Sequence, residues 1–424
     1  MYQIDYVNGV KLIYFKTNRL TNIFGLFTIN GAFYETEKTS GLSHFCEHMF
    51  FNGTKDRTAS DISRDIAIFG GDQNAHTSKQ EVFCHISSSS EYYKNIIYNI
   101  MDMFFNSTFP EKYVEKERDI IIEEKKSSID DPWTYLFESI SQKFCDFNRG
   151  HPVLGEFETI SSFKRDDIIN YLIDTISLNQ MAFVYVGPHS IDDIKLEMAK
   201  HIPSEHPYLN EKEFKKVEVS SFCVDAVPLE NTEDNCTIEL CKKDCSQKYV
   251  ARLRQAVDFD SKDVIPTSVF SNALGSGFFS RMFLEIRQEM GLAYNCGSFF
   301  EKSYSKNGSS LCEYSIISTE NLNKYLDALN SIENDVIKNG ISEELMQSGK
   351  ASLLYSVARF LNSDYSIAFN ALTHFYGQLK SPDEMVEKIK SINFEDVNRA
   401  GKELLEKQFV MGILSPQEEE IVAK

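Results

Sequence analysis

The sequence predicts an α+β chain of two similar halves, each a mostly antiparallel sheet packed with helices. Three observations lead there. At 424 residues the chain exceeds what a single core usually organises. Short strand-like runs alternate with pairs of long amphipathic helices, a pattern that layers helices on a sheet rather than winding them around a parallel one. The order of these segments also occurs twice.

The first half opens with the apolar runs Gly9–Phe15 and Ile23–Ile29, the right length for strands, followed by a helix that carries His44 and His48. A turn at Gly70–Gly71 leads into alternating residues around Val82–Ile86. Two amphipathic helices come next, Tyr92–Phe105 and Pro110–Ile129, then a helix over Arg165–Ile176 and the strand Met181–Gly187. The second half repeats this order. Cys236–Leu240 and Tyr249–Val257 read as strands and Pro266–Leu274 as the helix matching the histidine helix. Asn321–Asn339 and Ser342–Phe360 match the long pair, and Glu395–Glu406 with Phe409–Leu414 close the half. The polar stretch Pro203–Lys216 reads as a linker, giving domains at 1–202 and 217–424.

The two halves differ in chemistry. In the first, His44-Phe45-Cys46-Glu47-His48 places two imidazoles and a carboxylate at positions i, i+3 and i+4 of one helix face. His-x-x-Glu-His is the inverted form of a zinc-protease helix signature. Two neutral imidazoles and one further carboxylate would leave zinc a fourth position for water. The helix Pro110–Ile129 offers that carboxylate: Glu117 and Glu124 lie two turns apart on one face, and Glu123 points about 100° away. Cys46, at i+2 from His44, faces the other way, as a packing thiol does.

With these residues the chain resembles the insulinase-like zinc peptidases, the family of pitrilysin, insulin-degrading enzyme and the mitochondrial processing peptidase. Members pair His-x-x-Glu-His with a downstream Glu-Arg-(x)5-Glu. Glu117-Arg118 followed by Glu124 matches, as do the flanking Gly41-Leu42-Ser43 and Met49-Phe50-Phe51-Asn52-Gly53-Thr54. The resemblance implies His44, His48 and Glu124 as ligands of one Zn2+ per chain, Glu117 as a supporting carboxylate and Glu47 as general base. It also implies substrate-holding and oxyanion-stabilising roles for Arg287 and Tyr294, which stand seven apart around Gly291-Leu292. Asn74, Ala75, His76 and Thr77 become an edge strand to which a peptide adds as a further strand. His76 is not expected on the metal, because the three-ligand set is complete without it. The second half has neither His nor Glu in Thr267–Asn272 and no Glu-Arg motif in its counterpart helix, so it carries no metal. The short Gly275-Ser276-Gly277 loop leaves its own contact with substrate open.

Composition fits a soluble peptidase. A formal net charge of −19 disfavours nucleic acid, whose phosphates it would repel. No apolar run reaches the roughly 20 residues of a membrane span, and the start, Met-Tyr-Gln-Ile-Asp-Tyr, lacks the basic and apolar regions of a signal peptide. Nine cysteines, an odd number without framework spacing, suit reduced thiols in the cytoplasm. Cys236, Cys241 and Cys245 lack the spacing and the fourth ligand of a second zinc site. The expected activity is zinc-dependent hydrolysis of peptides or unfolded segments. The rival from another class is a non-catalytic partner subunit of an insulinase-like heterodimer. Because the chain has half the domains of four-domain members, a homodimer is expected, with Arg287 and Tyr294 completing the partner's zinc site; a heterodimer with a related subunit is the alternative.

Overall fold

The computed structural model describes residues 1–211, 235–242, 245–304, 307–378 and 381–417. Of the expected linker, residues 212–216 lie outside the described residues, and 203–211 form turns and irregular backbone. Both halves are α+β, as the segment order implies, and two compact units divide the chain.

The sheet of the first unit has six strands: β1 (Tyr2–Val7), β2 (Val10–Lys16), β3 (Thr21–Thr28), β4 (Asp72–Thr77), β5 (Val82–Ser89) and β6 (Met181–Gly187). Their order is β1-β2-β6-β3-β5-β4, antiparallel except for the parallel pair β2 and β6. All seven residues of β6 are buried. A strand covered on both faces reads as a continuous apolar run, and Met181–Gly187 does. The helices α1 (Leu42–Phe50), α2 (Ala59–Ile68), α3 (Tyr93–Phe105) and α4 (Glu111–Asp130) belong with this sheet, α4 as far as Lys125. Phe24, Phe45, Phe104, Phe105, Ile121 and Phe183 share its core.

The second sheet is built from β7 (Cys236–Lys242), β8 (Lys248–Gln255), β9 (Ala293–Glu301), β10 (Ser310–Ile317) and β11 (Phe409–Pro416). Its order, β7-β11-β8-β10-β9, repeats β2-β6-β3-β5-β4 strand for strand, including the one parallel pair, β7 and β11. Val264–Gly275 stands where α1 stands, and Leu322–Asn339 with Glu343–Phe360 correspond to α3 and α4. The duplication expected from sequence is therefore present in the hydrogen-bonding order.

Compactness divides the chain differently from 1–202 and 217–424. The first unit takes Met1–Lys125, the stretch from His151 and the late segment Arg359–Pro382; the second takes Lys126–Gly150. The reason is a reciprocal exchange of helices. α5 (Pro132–Phe144) packs on β11, β8 and β7, burying Leu136 and Ile140 against Ala251, Leu253 and Leu414. Gly412 makes the fit possible, since a Cβ there would lie 2.6 Å from Ile140 Cδ1. In return the helix Asp364–Asn370 packs on β3 and β6. Its carboxylate Asp364 takes Arg19 and the Thr21 hydroxyl, and Tyr2 Oη donates to Ile367 O at 2.7 Å. Sequence periodicity placed neither helix. Among the described residues, no helix is long and apolar enough to cross a membrane.

Candidate metal centre

α1 is short and almost wholly buried. Phe45, Cys46 and Met49 enter the core, while His44 and Glu47 are buried polar residues. Cys46 is thus the packing thiol its position implied, its pKa pushed up by burial. α4 is held by one inward stripe, Val114, Glu117, Ile121 and Lys125, which alternates apolar and charged residues. Glu124 stands beside that stripe at the more exposed edge.

The two helices bring their side chains to one point. Glu124 Oε2 lies 3.5 Å from His48 Nε2 and 3.8 Å from His44 Nε2. One ligand atom from each of His44, His48 and Glu124 falls within 4.8 Å of the others. Three corners of a tetrahedral zinc site are about 3.4 Å apart, so the group has the right size. Glu117 Oε2 holds His48 Nδ1 at 2.9 Å, which leaves Nε2 as the coordinating nitrogen. Two imidazoles and a carboxylate, one ring oriented by a further carboxylate, are a donor set that fits zinc. Among the described residues His44 has no such support: its Nδ1 is buried without a hydrogen-bond partner there.

Electrostatics agrees. Burial works against a charged His48, but hydrogen bonds to Glu117 and Glu124 outweigh it and raise its pKa to about 9. Burial, reinforced by His48, lowers His44 to about 4. The carboxylates thus favour positive charge at this point, and a divalent cation answers the same field. Glu47 is pushed up by burial, opposed by the Thr77 hydroxyl, which donates to Glu47 Oε2 at 2.5 Å, and by His48.

Glu47 and His48 border a cleft of about 610 Å³ whose walls include Asn74, Ala75, Tyr113 and Glu117. Among the described residues, β4 is the edge of its sheet and pairs only with β5. Of the four residues expected along it, Asn74 and Ala75 line the cleft and Thr77 holds Glu47. His76 instead packs against Phe83 and Phe369, with Nε2 3.7 Å from Glu81, and stays out of the ligand group. Asn52 entered the sequence reading only within the flanking motif, without a role: its Nδ2 donates to His48 O at 2.9 Å, and its side chain also bonds Glu117. The signal was there, because Asn52 continues the 44, 48 spacing by one more turn.

Arg287 and Tyr294 belong to the second unit. Phe283–Glu289 is a π-helix rather than an α-helix, and Tyr294 is the second residue of β9. The Arg287 guanidinium lies 4.7 Å from the Tyr294 ring and 4.9 Å from that of Phe283. Tyr294 is 80% exposed. These two residues are brought together, in a unit other than that of the histidines. Among the described residues, Cys236, Cys241 and Cys245 form no metal-holding group.

A two-unit α+β fold with an inverted histidine helix and a distant glutamate defines a class of metallopeptidase-like proteins. Residues 16–155 match the profile of insulinase (peptidase family M16), and 162–353 match that of the peptidase M16 inactive domain. The chain belongs to this insulinase-like M16 family, in its short two-domain form. It is 27% identical over 414 residues to the uncharacterized zinc protease YmxG of Bacillus subtilis, covering 96% of this chain and 97% of that one. The beta subunit of the mitochondrial-processing peptidase of Bos taurus is 29% identical over 194 residues, 46% of this chain and 39% of the subunit. Among solved structures, a protease from Helicobacter pylori superposes with a TM-score of 0.86 at 18% identity, over 98% of this chain and 99% of that one. A peptidase M16 inactive domain from Pseudomonas fluorescens gives 0.86 at 15%, over 99% and 98%. At these identities the structures speak for the fold alone.

Proposed function

We propose that the chain is a zinc-dependent endopeptidase acting on peptides or unfolded segments, with His44, His48 and Glu124 holding one Zn2+. The observation that carries this reading is the convergence of those three ligand atoms beside Glu47, with Glu117 orienting His48. Bound there, zinc would act as a Lewis acid on the scissile carbonyl and lower the pKa of a water. Glu47 takes the proton of the attacking water and returns it to the leaving amine; a carboxyl raised by burial suits both tasks. Thr77 keeps that carboxylate in one orientation. The free edge of β4 takes the substrate as an added strand, through main-chain hydrogen bonds that leave side-chain preference loose. Asn74 and Ala75 border its path.

Arg287 and Tyr294 act as donors toward the developing negative charge. In this proposal they reach the zinc site of a second copy in a homodimer, or of a related subunit in a heterodimer. Cys46, Cys84, Cys236, Cys241 and Cys312 are free thiols, which suits a cytoplasmic setting.

Elemental analysis for zinc, with cleavage of a quenched peptide with and without chelator, tests the reading. One equivalent of zinc and chelator-sensitive cleavage are expected. Zinc without cleavage by any assembly of the chain would favour the non-catalytic subunit. Mixing Glu47→Gln with Tyr294→Phe chains should restore activity through one intact shared site. Exchange of chains without restored activity would refute sharing.

A further inference from the structure

The helix with the two histidines starts at a glycine. Gly41 occupies its N-terminal cap with φ of 92° and offers no capping side chain. The first N–H groups are served from outside the helix instead. The carboxylate of Glu35, 3% exposed, accepts from Gly41 N at 2.8 Å and from Ser43 N at 2.7 Å. A negative charge there also suits the helix dipole. Glu35 is held in turn by His151 Nε2 at 2.9 Å, in a contact that is buried on both sides.

His151 begins a loop that touches both metal-bearing helices. Its carbonyl accepts from Lys79 Nζ. Four residues on, Gly155 O accepts from Lys125 Nζ, and Glu156 lies 3.5 Å from the same ammonium. Lys125 is only 3% exposed and follows Glu124 directly. The loop is pressed onto the start of α1: a Cβ at Gly155 would lie 2.4 Å from Ser40 O, and one at Gly41 would lie 2.5 Å from Leu154 O. Thr159 Oγ1 adds a bond to Ser40 O at 2.6 Å. Lys125 is the last residue before the chain crosses to the second unit, and His151 the first after its return.

The histidines and Glu124 sit on separate helices, and their spacing has to be set by something rigid. We propose that Glu35, His151 and Lys125 are positioning residues: the 151–156 loop anchors α1 through Glu35 and α4 through Lys125, and so fixes the imidazoles relative to Glu124. Glu35 acts through Gly41 N and Ser43 N, His151 through Glu35, and Lys125 through Gly155 O. The inference rests on the metal reading above and concerns affinity for the metal, whatever the substrate.

Lys125 allows a test by sign. Removing a cation next to Glu124 makes the site more negative, and on charge alone Lys125→Met should tighten zinc. Loss of the anchor should weaken it. Zinc affinity of the full chain, measured by competition with a chromogenic chelator, is expected to fall about tenfold or more in Lys125→Met, the usual scale for a supporting residue. Lys125→Arg, which keeps a donor for Gly155 O, is expected to recover most of that loss. Glu35→Gln, which leaves one of the two N–H groups without an acceptor, should weaken zinc as well, and its double with Lys125→Met should fall short of the product of the two effects, because both release one loop. Unchanged or tighter zinc in a folded Lys125→Met chain would overturn the proposal, as would Lys125→Arg no better than Lys125→Met. If Glu35→Gln does not fold, the Lys125 pair decides alone. A wild-type chain that binds no zinc would instead refute the metal centre itself.

Discussion

In the first unit the strands β2-β6-β3-β5-β4 back a helix, α1, whose polar side chains border a cleft. In the second, the same order backs Val264–Gly275, which buries Thr267, Val269, Phe270, Ser271 and Leu274 and has no titratable group among them. Buried charge is present in both, but balanced differently. Around α1 the carboxylates Glu47, Glu117 and Glu124 outnumber what His44 and His48 can neutralise, and the field favours a cation. The second unit closes its charges on one another. Glu333 binds Arg252 at 2.8 Å and Arg254 at 2.6 Å, and Glu313 binds Arg254 at 2.5 Å. Asn330 takes a further Arg252 donor at 3.0 Å, and the Phe409 ring lies 4.1 and 4.9 Å from the two guanidinium groups. Two guanidinium groups thus face two carboxyl groups; burial and the neighbouring Glu333 push Glu313 up to about 8, while, against burial, the two arginines hold Glu333 down. One fold carries both arrangements, and side-chain balance rather than topology decides which unit can hold a metal.

Breaking the closed network should produce the largest effect. Arg254→Met leaves Glu313 and Glu333 short of a buried partner and should cost about 3–5 kcal/mol. Denaturant unfolding measures it, and zinc affinity should not follow. In the open site, Glu47→Gln should keep the zinc and lose at least ~10²-fold in turnover, whereas Glu124→Gln should lose the metal itself. Metal content beside peptide kinetics separates the two. Near-normal turnover in Glu47→Gln would remove it from the mechanism. Glu117→Gln should weaken zinc by about ten- to hundredfold, since His48 loses its charged support; chelator titration reads the change.

The smallest effect lies where the second unit's helix begins. Asp263 stands at the cap position of Val264–Gly275 and bonds Arg399 at 2.5 Å instead of capping. That bond lowers its pKa, so its contribution is present above the ordinary carboxylate range and lost as the pH falls through the folded value. Asp263→Asn should cost only about 0.2–1 kcal/mol near neutral pH and flatten the acid limb of the stability curve. A loss as large as that of Arg254→Met would end the contrast between partly exposed and closed pairs.

Much of this was legible in the chain. Spacings of three, four and seven residues place His44, Glu47 and His48 on one face and Glu117 with Glu124 on another, because helical geometry is local. Apolar runs gave β2, β3, β6 and β11. β10 escaped because Ser310 and Glu313 are buried in it, the latter matched by Arg254 from the neighbouring strand. β9 escaped because it is an edge strand with no clean alternation. The start of α5 was readable, with Asp131 capping and Pro132 in the first turn, but nothing local says which sheet it will cover.

By itself, then, the sequence determined the α+β halves, the inverted histidine helix and the glutamates that can meet it, since each depends on residues within one or two elements. Tertiary structure alone decided the reciprocal exchange of α5 and Asp364–Asn370 between sheets, the π-helix under Arg287, and the joining of Glu35 to His151 across 116 positions. Those depend on which apolar faces and buried charges find partners far along the chain, and no spacing within a single element records that.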